Sequence, residues 1–199
     1  MEFDLTNSRT ALLVLDLQEL FSSAEGPFKN TGADELIHNV NAFSKYCHDL
    51  ELPVIYSRYL FRDDLSDAGL LIDNPVVQQG HFCESSEWMQ LDKRLKLTES
   101  SINLQRNRPG AFWNGDLEQT LKQHEIDTLL LCGLSVNNAV STTAREAFAR
   151  DYPTVVIKEC TGAAPWETEL DSYFDTLNTW TAEVASMDDI KQRLDKNDY

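Results

Sequence analysis

Short apolar runs alternate along the chain with longer stretches whose apolar residues recur at helical spacing. Residues 11–15 are continuously apolar (Ala-Leu-Leu-Val-Leu), which is typical of a strand covered on both faces. Residues 34–50 then carry a set of apolar side chains spaced to share one helix face: Leu36, Ile37, Val40, Phe43, Tyr46 and Cys47. The same two patterns repeat through the rest of the chain, so we expect strands and helices to alternate.

The repeated pattern predicts further strands and helices. The strands are expected over residues 53–56, 101–104, 128–132, 154–157 and 182–184, and the helices over residues 115–125, 137–150, 170–177 and 187–199. Alternation of this kind predicts an α/β fold in three layers, α/β/α, around a central and mostly parallel sheet of about six strands with Rossmann-like topology. With 199 residues, the chain is expected to form a single domain over residues 1–199.

One long segment lacks both patterns. Residues 58–86 are polar and contain Gly and Pro, so we expect an irregular excursion there. Excursions of this length in a compact domain usually carry function or form an interface. Because the chain has neither a GxGxxG sequence nor a phosphate-binding P-loop, its alternating pattern does not indicate dinucleotide binding.

The formal net charge of −16 argues against two classes of partner. A nucleic acid and an anionic membrane would both repel the chain, and no apolar run approaches the roughly 20 residues of a membrane span. Residues 1–4 have no basic residue ahead of the first apolar run, so we expect no signal peptide and a cytoplasmic location. The cysteines form no CxxC pair and are expected to be buried thiols rather than zinc ligands: Cys47, Cys83, Cys132 and Cys160.

Three segments that follow predicted strands contain residues capable of chemistry. Residues 16–18 (Asp-Leu-Gln) leave the first strand, and residues 105–113 bring two arginines beside a turn and two aromatic residues. Residues 132–140 lead from a strand into a helix. Because ligands in parallel α/β sheets bind beyond the carboxyl ends of the strands, we expect these segments to meet at one site.

Each segment also has a purely structural interpretation. Asp16 is suited to acid–base chemistry because burial at a strand end raises a carboxyl pKa, but it is equally suited to cap the next segment. The arginines of residues 105–113 suit carboxylate binding, although arginines in loops are usually solvated. Backbone N–H groups at the start of the helix after residue 132 suit an anion or an oxyanion, but an Asn cap also accounts for this segment.

Together and in this order, the three segments resemble the isochorismatase-like (cysteine hydrolase) superfamily. The resemblance lies in residues 15–18 (Leu-Asp-Leu-Gln), in the arginine-rich segment that ends at Ala111-Phe112, and in residues 133–147. It extends over nearly the whole chain, roughly residues 9–190. It implies a hydrolase without a cofactor that acts on a small molecule and forms a homodimer or homotetramer.

The resemblance also assigns the catalytic positions. In the amide hydrolases of this superfamily an Asp, a Lys and a Cys form a triad, and the matching residues here are Asp16, Arg106 and Ala139. A methyl group cannot attack a carbonyl, so no thioester route is expected at Ala139. A guanidinium does not deprotonate in proteins, so Arg106 is expected to stabilise negative charge or hold a carboxylate rather than act as a base.

True isochorismatases also have a small residue in place of the cysteine; their Asp protonates a vinyl ether and water completes the cleavage. The chain is similar to them at Ala139 but differs elsewhere. Where they bind substrate with a Gln and an Arg, the chain has Tyr59 and Ala68, and where they have a tyrosine it has Ser135, so isochorismate is not the expected substrate. The superfamily's metal-binding amidases use an Asp-x-His element after the second strand; residues 58–67 contain no histidine, so no metal is expected.

We therefore expect an atypical member of this superfamily, acting on a small, anionic or carbonyl-bearing molecule through acid–base chemistry at Asp16. The bond cleaved would be a vinyl ether or a related C–O or C–N bond. The residues expected at the substrate are Gln18, Phe21, Tyr59, Trp113, Ser135, Val136 and Asn138. Two alternatives stay open: an inactive scaffold that binds a ligand or partner, and a cysteine amidohydrolase in which Ala139 is an engineered replacement of the nucleophile.

Overall fold

The computed structural model describes residues 2–5, 9–165 and 169–196. Its strands are β1 (Thr10–Leu15), β2 (Val54–Tyr59), β3 (Ile102–Arg106), β4 (Thr128–Gly133), β5 (Thr154–Thr161) and β6 (Glu183–Ala185). All six pair in parallel in one sheet, in the order β3-β2-β1-β4-β5-β6. The predicted central sheet of about six strands is therefore confirmed.

Helices cover both faces of this sheet. They are α1 (Glu19–Ser22), α2 (Ala33–Asp49), α3 (Asp116–Gln123), α4 (Ser141–Phe148), α5 (Leu170–Trp180) and α6 (Met187–Lys196). The apolar faces of α2 and α6 pack in one core cluster, and those of α3, α4 and α5 pack in a second cluster on the opposite face. This is the predicted three-layer α/β/α arrangement.

The continuous apolar run of β1 follows from its position between the two helical layers. Leu12 and Val14 belong to the cluster with α2 and α6, whereas Leu13 and Leu15 belong to the cluster with α3, α4 and α5. Successive side chains of a strand point to opposite faces, so a central strand covered on both faces needs an apolar residue at every position.

Element boundaries differ from the prediction at two places that matter for the site. The helix expected from residue 137 begins instead with a π-helical turn, Val136–Val140, and α4 starts only at Ser141. The strand expected over residues 101–104 continues to Arg106, which therefore ends β3 and does not lie in a loop.

The excursion after β2 returns across the carboxyl ends of the strands. It contains three single 3₁₀ turns, Gly69–Leu71, Val77–Gln79 and Glu87–Met89, and residues 18 and 91 form an isolated bridge beyond β1. Five buried side chains give it a small core of its own: Phe61, Leu65, Ala68, Val77 and Cys83. The predicted irregular segment is thus an ordered cover above the sheet. In the part of the chain that the structure describes, no helix combines the length and apolar character needed to cross a membrane.

Candidate active site

A cavity of about 410 Å³ lies beyond the carboxyl ends of the central strands. Asp16 directly follows β1, Tyr59 ends β2 and Leu134 directly follows β4, and all three line the cavity. From β1 the chain continues to β2 and β3 on one side of the sheet, whereas β4 lies on the other side of β1. The cavity therefore lies at the point where the strand order reverses, which is the usual ligand position in open α/β sheets.

Asp16 and Arg106 form a buried ion pair at this position. The guanidinium Nη1 donates to Oδ1 at 2.7 Å and Nη2 donates to Oδ2 at 2.8 Å. Nη1 also donates to Ser57 Oγ and Nε donates to the Pro109 carbonyl, both at 3.1 Å. The prediction that Asp16 and Arg106 lie together is confirmed.

The two charges of the pair are not equally accessible. The Arg106 side chain is 1% exposed and the Asp16 side chain 9%, and of the two only Asp16 lines the cavity. Four of the five guanidinium N–H groups already donate to protein oxygens. The expectation that Arg106 holds a substrate carboxylate is corrected by this geometry, because its guanidinium is bonded to Asp16 and does not belong to the described lining.

Burial sets the protonation behaviour of Asp16. Desolvation raises the pKa of its carboxyl above the ordinary 3.8, and the charge and hydrogen bonds of Arg106 oppose this rise without cancelling it.

The backbone of Asp16 adopts a left-handed conformation with φ of 54°, and its N–H donates to the Ser57 carbonyl at 3.0 Å. Asp tolerates this conformation better than most residues, and such strain concentrates at functional sites.

Gln18 holds the cavity wall and does not line the cavity. Its side-chain Oε1 accepts from the Tyr59 N–H at 2.8 Å, and its Nε2 donates to the Tyr59 and Met89 carbonyls at 3.2 and 3.1 Å. The residue is 0% exposed. The prediction that Gln18 contacts substrate is corrected. The amide oxygen and the amide nitrogen both bond to the protein, and they fix Tyr59 and Met89 in place.

Tyr59 lines the cavity beside the ion pair. Desolvation raises the pKa of its hydroxyl to about 12, so the phenol stays protonated throughout the working range of most enzymes. The Arg106 guanidinium lies 5.8 Å from its ring centroid. The residue is partly exposed and lines the cavity.

The segment after β4 supplies polar groups but fewer free N–H groups than expected. Ser135 and Asn138 line the cavity, as predicted. Val136 is fully buried; its N–H donates to the Gly162 carbonyl, and the Asn138 N–H donates to the Ser135 carbonyl. The prediction that N–H groups from Val136 onward face a ligand is therefore corrected for Val136 and Asn138, which use theirs within the fold.

Ala139 packs in the apolar cluster beneath α4. It is 2% exposed and is grouped with Val140 and Ala144 in that cluster. It is not among the described residues that line the cavity. Apolar neighbours pack around Ala139, and its small side chain adds no room to the described cavity.

Aromatic side chains form much of the cavity wall. Phe21, Phe28, Tyr59 and Phe82 all line it, with ring centroids 5.8–6.4 Å apart among the contacting pairs. Phe21 was predicted, whereas Phe28 and Phe82 were missed because they lie in irregular segments without periodicity. Trp113 is corrected: it is 59% exposed, does not belong to the described lining, and its ring stacks with Arg108 instead.

The sequence itself matches one protein family. A sequence model described as "Isochorismatase domain" matches residues 10–189. The chain belongs to the isochorismatase family.

Individual relatives of this isochorismatase-family protein agree with the match. An uncharacterized isochorismatase family protein of Escherichia coli O157:H7, YecD, is 31% identical over 193 residues, which cover 96% of this chain and 99% of that protein. An N-carbamoylsarcosine amidase of an Arthrobacter species is 25% identical over 94% of this chain and 72% of its own length. Among solved structures, a cysteine hydrolase from Pseudomonas syringae pv. phaseolicola superposes with a TM-score of 0.92 at 19% identity, covering 98% of this chain and 97% of that one, which shows the shared fold.

No cysteine of this isochorismatase-family chain lines the cavity among the described residues, and all four cysteines are free and buried. Desolvation raises the pKa of the Cys132 and Cys47 thiols well above their ordinary value, and that of Cys160 to about 12. Over the described ranges no three His, Cys, Asp or Glu side chains come together as a metal site would require. Asp16 contributes the carboxyl group that the described lining contains.

Proposed function

We propose that this isochorismatase-family hydrolase cleaves a C–O or C–N bond of a small carbonyl-bearing molecule by acid–base chemistry at Asp16. The observation that carries the proposal is the placement of one carboxyl group, and no other charged side chain of the described residues, in the lining of an aromatic cavity. The raised pKa of Asp16 supports this role, because a carboxyl that keeps its proton to higher pH is a better acid.

In the proposed reaction Asp16 donates its proton to the substrate atom that accepts it, which is the vinyl carbon of an enol ether or the leaving nitrogen of a C–N bond. Water then adds to the resulting electrophilic carbon and releases a proton to the Asp16 carboxylate. The C–O or C–N bond breaks and the leaving group departs with its electron pair and a proton. One water is consumed and Asp16 returns to its starting state.

Arg106 has a fixed electrostatic role in this scheme. Because a guanidinium does not give up its proton, Arg106 cannot relay protons between Asp16 and the substrate. Its two N–H groups stabilise the carboxylate that forms when Asp16 has given up its proton. Proton exchange must then occur through the cavity side of Asp16, where substrate and water enter.

A covalent thioester route is not part of the proposal. By resemblance, Ala139 occupies the position of the superfamily's nucleophile, and an alanine has no group that attacks a carbon. The Cys132 thiol lies within β4, is fully buried and has a strongly raised pKa, so it does not replace that nucleophile.

Asp16→Asn tests the proposal. Hydrolysis of a panel of enol ethers, ureido compounds and amides would first identify a compound that turns over. Because the amide cannot transfer the proton, turnover of that compound should fall by about 10²–10⁴-fold while its binding persists. Asp49→Asn is the matched control, since Asp49 is an exposed carboxylate paired with Lys45 and should leave turnover unchanged. Unchanged turnover by Asp16→Asn would remove Asp16 from the mechanism.

A second candidate function is a binding scaffold without turnover. Two observations favour it: Ala139 offers no nucleophile, and the Arg106 guanidinium is closed off behind Asp16. The same panel separates the two functions, because a scaffold would bind a compound equally well in wild type and Asp49→Asn and hydrolyse it in neither.

A further inference from the structure

We propose that the cavity selects ligands that carry a positive charge on an apolar, alkylated nitrogen, such as an alkylammonium group or an N-alkylated heteroaromatic ring. This rests on the proposed function only in that it concerns the same cavity; it names the chemical class of the substrate. The sequence alone predicts an anionic or carbonyl-bearing molecule, and the anionic part of that prediction depends on Arg106 and on backbone N–H groups after β4 facing the ligand.

The first observation is the ring of aromatic side chains. Phe21, Phe28 and Phe82 contact one another with centroids 5.8–6.4 Å apart, and Tyr59 contacts Phe82 at 6.1 Å. All four residues line the cavity. Aromatic faces carry partial negative charge and attract cations within about 6 Å of the ring centroid, which is how aromatic cages bind alkylated ammonium groups.

The second observation is the direction of the Asp16–Arg106 ion pair. The Asp16 carboxyl lines the cavity and the guanidinium lies behind it, so whenever Asp16 is ionised the negative end of the pair is the one that a ligand meets. The other polar residues in the described lining are neutral: Asn30, Tyr59, Asn74, Ser135 and Asn138. No Lys, Arg or His occurs among the described lining residues, so an anionic ligand would find no countercharge there.

The third observation is the charge of the segment that covers the cavity. Residues 60–87 hold six Asp and Glu residues and one Arg, a net charge of −5 with His81 neutral. Leu71, Val76, Val77 and Phe82 of this segment line the cavity, and the charge of Asp67 in the same segment acts on Tyr59 in the cavity wall. With a net charge of −16 over the whole chain, the field at the entrance attracts cations and repels anions.

An uncharged apolar ligand would gain from the aromatic wall but not from the charges. A cation enclosed in methyl groups gains from both, because its alkyl shell is easily desolvated and its charge interacts with the rings and with Asp16. The combination of rings, an inward carboxylate and an acidic cover therefore favours the alkylated cation over a neutral ligand of the same shape.

Three probes of nearly equal shape test the charge preference directly. Choline carries a trimethylammonium group, 3,3-dimethylbutan-1-ol has a neutral tert-butyl group in its place, and 3,3-dimethylbutanoate carries a negative charge. Binding to the full-length protein would be measured by calorimetry and ligand-observed NMR at low and high salt. We expect choline to bind at least about 10-fold more tightly than the alcohol, the carboxylate to bind weakest, and only choline to weaken markedly with salt.

Matched variants place the effect in this cavity. Phe82→Leu keeps an apolar side chain but removes a ring, so it should weaken choline binding about 5- to 10-fold and leave the alcohol nearly unchanged. Phe21→Leu should also weaken choline binding, and it replaces Phe82→Leu as the test if Phe82→Leu does not fold. Trp180 is an exposed aromatic residue outside the described lining, so Trp180→Leu should change the binding of neither choline nor the alcohol.

Three results would overturn the inference: equal binding of choline and the alcohol, tightest binding of the carboxylate, or no binding of any probe at millimolar concentration. Because the probes are not expected to be hydrolysed, these results are independent of the Asp16→Asn turnover test. The two proposals can therefore fail separately. The proposed reaction can be absent while the preference for choline is retained, and the preference for choline can be absent while the reaction occurs.

Discussion

Asp16 and Arg106 lie 90 residues apart in sequence, and two guanidinium N–H groups of Arg106 donate to the two carboxylate oxygens of Asp16. Asp16 follows β1 and Arg106 ends β3, and these strands are not neighbours in the sheet because β2 lies between them. Ser57 of β2 accepts a further hydrogen bond from the same guanidinium. The ion pair therefore ties three strand ends together below the cavity.

Replacing Arg106 with Met should destabilise the fold strongly. Met keeps the unbranched apolar stem of the side chain but removes the guanidinium, which leaves the buried Asp16 carboxylate without a partner. Breaking a buried pair in this way costs about 3–5 kcal/mol. Urea unfolding followed by circular dichroism at pH 7 measures the loss. The Asp16→Asn/Arg106→Met double variant should lose less than the sum of the two single variants, since no charge is then left unpaired.

Lys45→Met provides the comparison for an ion pair in solvent. Lys45 and Asp49 are 73% and 60% exposed, so the free energy of unfolding should change by about 0.5 kcal/mol or less. Similar losses for Arg106→Met and Lys45→Met would mean that the buried pair contributes no more than a surface pair.

Most of the fold could be predicted because its central strands, β1 and β4, are buried on both faces. Each continuous apolar run, such as residues 128–132, became a strand of the sheet with boundaries shifted by one or a few residues. The boundaries that moved are those set by tertiary contacts. β3 extends to Arg106, whose guanidinium is held by Asp16, and α4 is delayed by a π-helical turn after Ser135.

The site could be predicted only in part, because several of its polar groups bond to residues that are distant in sequence. The pairing of Asp16 with Arg106 followed from the strand ends and the family resemblance. By contrast, the buried amide of Gln18 is used by Tyr59 and Met89, and the Val136 N–H by Gly162, and no local pattern reveals such distant partners. The aromatic wall was underestimated for the same reason, since its rings come from irregular segments that only the fold brings together.

The carboxyl of Asp16 should titrate above pH 3.8. Because burial raises its folded-state pKa over the unfolded value, the folded protein holds this proton more tightly; the resulting stability is complete below pH 3.8 and is lost as pH rises through the folded pKa. Carboxyl-detected NMR would follow the resonance that is missing from Asp16→Asn. Activity that requires the protonated acid should decline over the same pH range.

Asp64 provides a control, because its pKa is shifted in the opposite direction from that of Asp16. Hydrogen bonds from Ser66 hold the pKa of this exposed carboxyl below 3.8, so its resonance should titrate at lower pH than that of Asp16. Overlapping titrations of Asp16 and Asp64 would contradict the effect of burial.

Thiol reagents should leave the native protein and any activity nearly unaffected. All four cysteines are free and buried, and desolvation raises the pKa of the Cys132 thiol strongly, which suppresses the reactive thiolate. A chromogenic disulfide reagent should therefore react with no thiol within minutes at pH 7 and with four after denaturation in urea. Rapid stoichiometric labelling of Cys132 with loss of activity would instead reveal an accessible nucleophile.

Gly133→Ala should disrupt the end of β4 where it meets β1. Gly133 has a φ of +110°, and a Cβ atom there would lie 2.0 Å from the Leu15 carbonyl oxygen, which already accepts the Leu134 N–H. The backbone of β1 or β4 must therefore move, and we expect a loss of about 3 kcal/mol or more in the free energy of unfolding. Gly115→Ala separates this clash from backbone strain, because Gly115 has a φ of +82° with nothing within 4 Å and should lose only about 1–2 kcal/mol. Urea unfolding of both variants gives the comparison, and equal losses would show that the contact between Gly133 and Leu15 does not constrain this edge of the cavity.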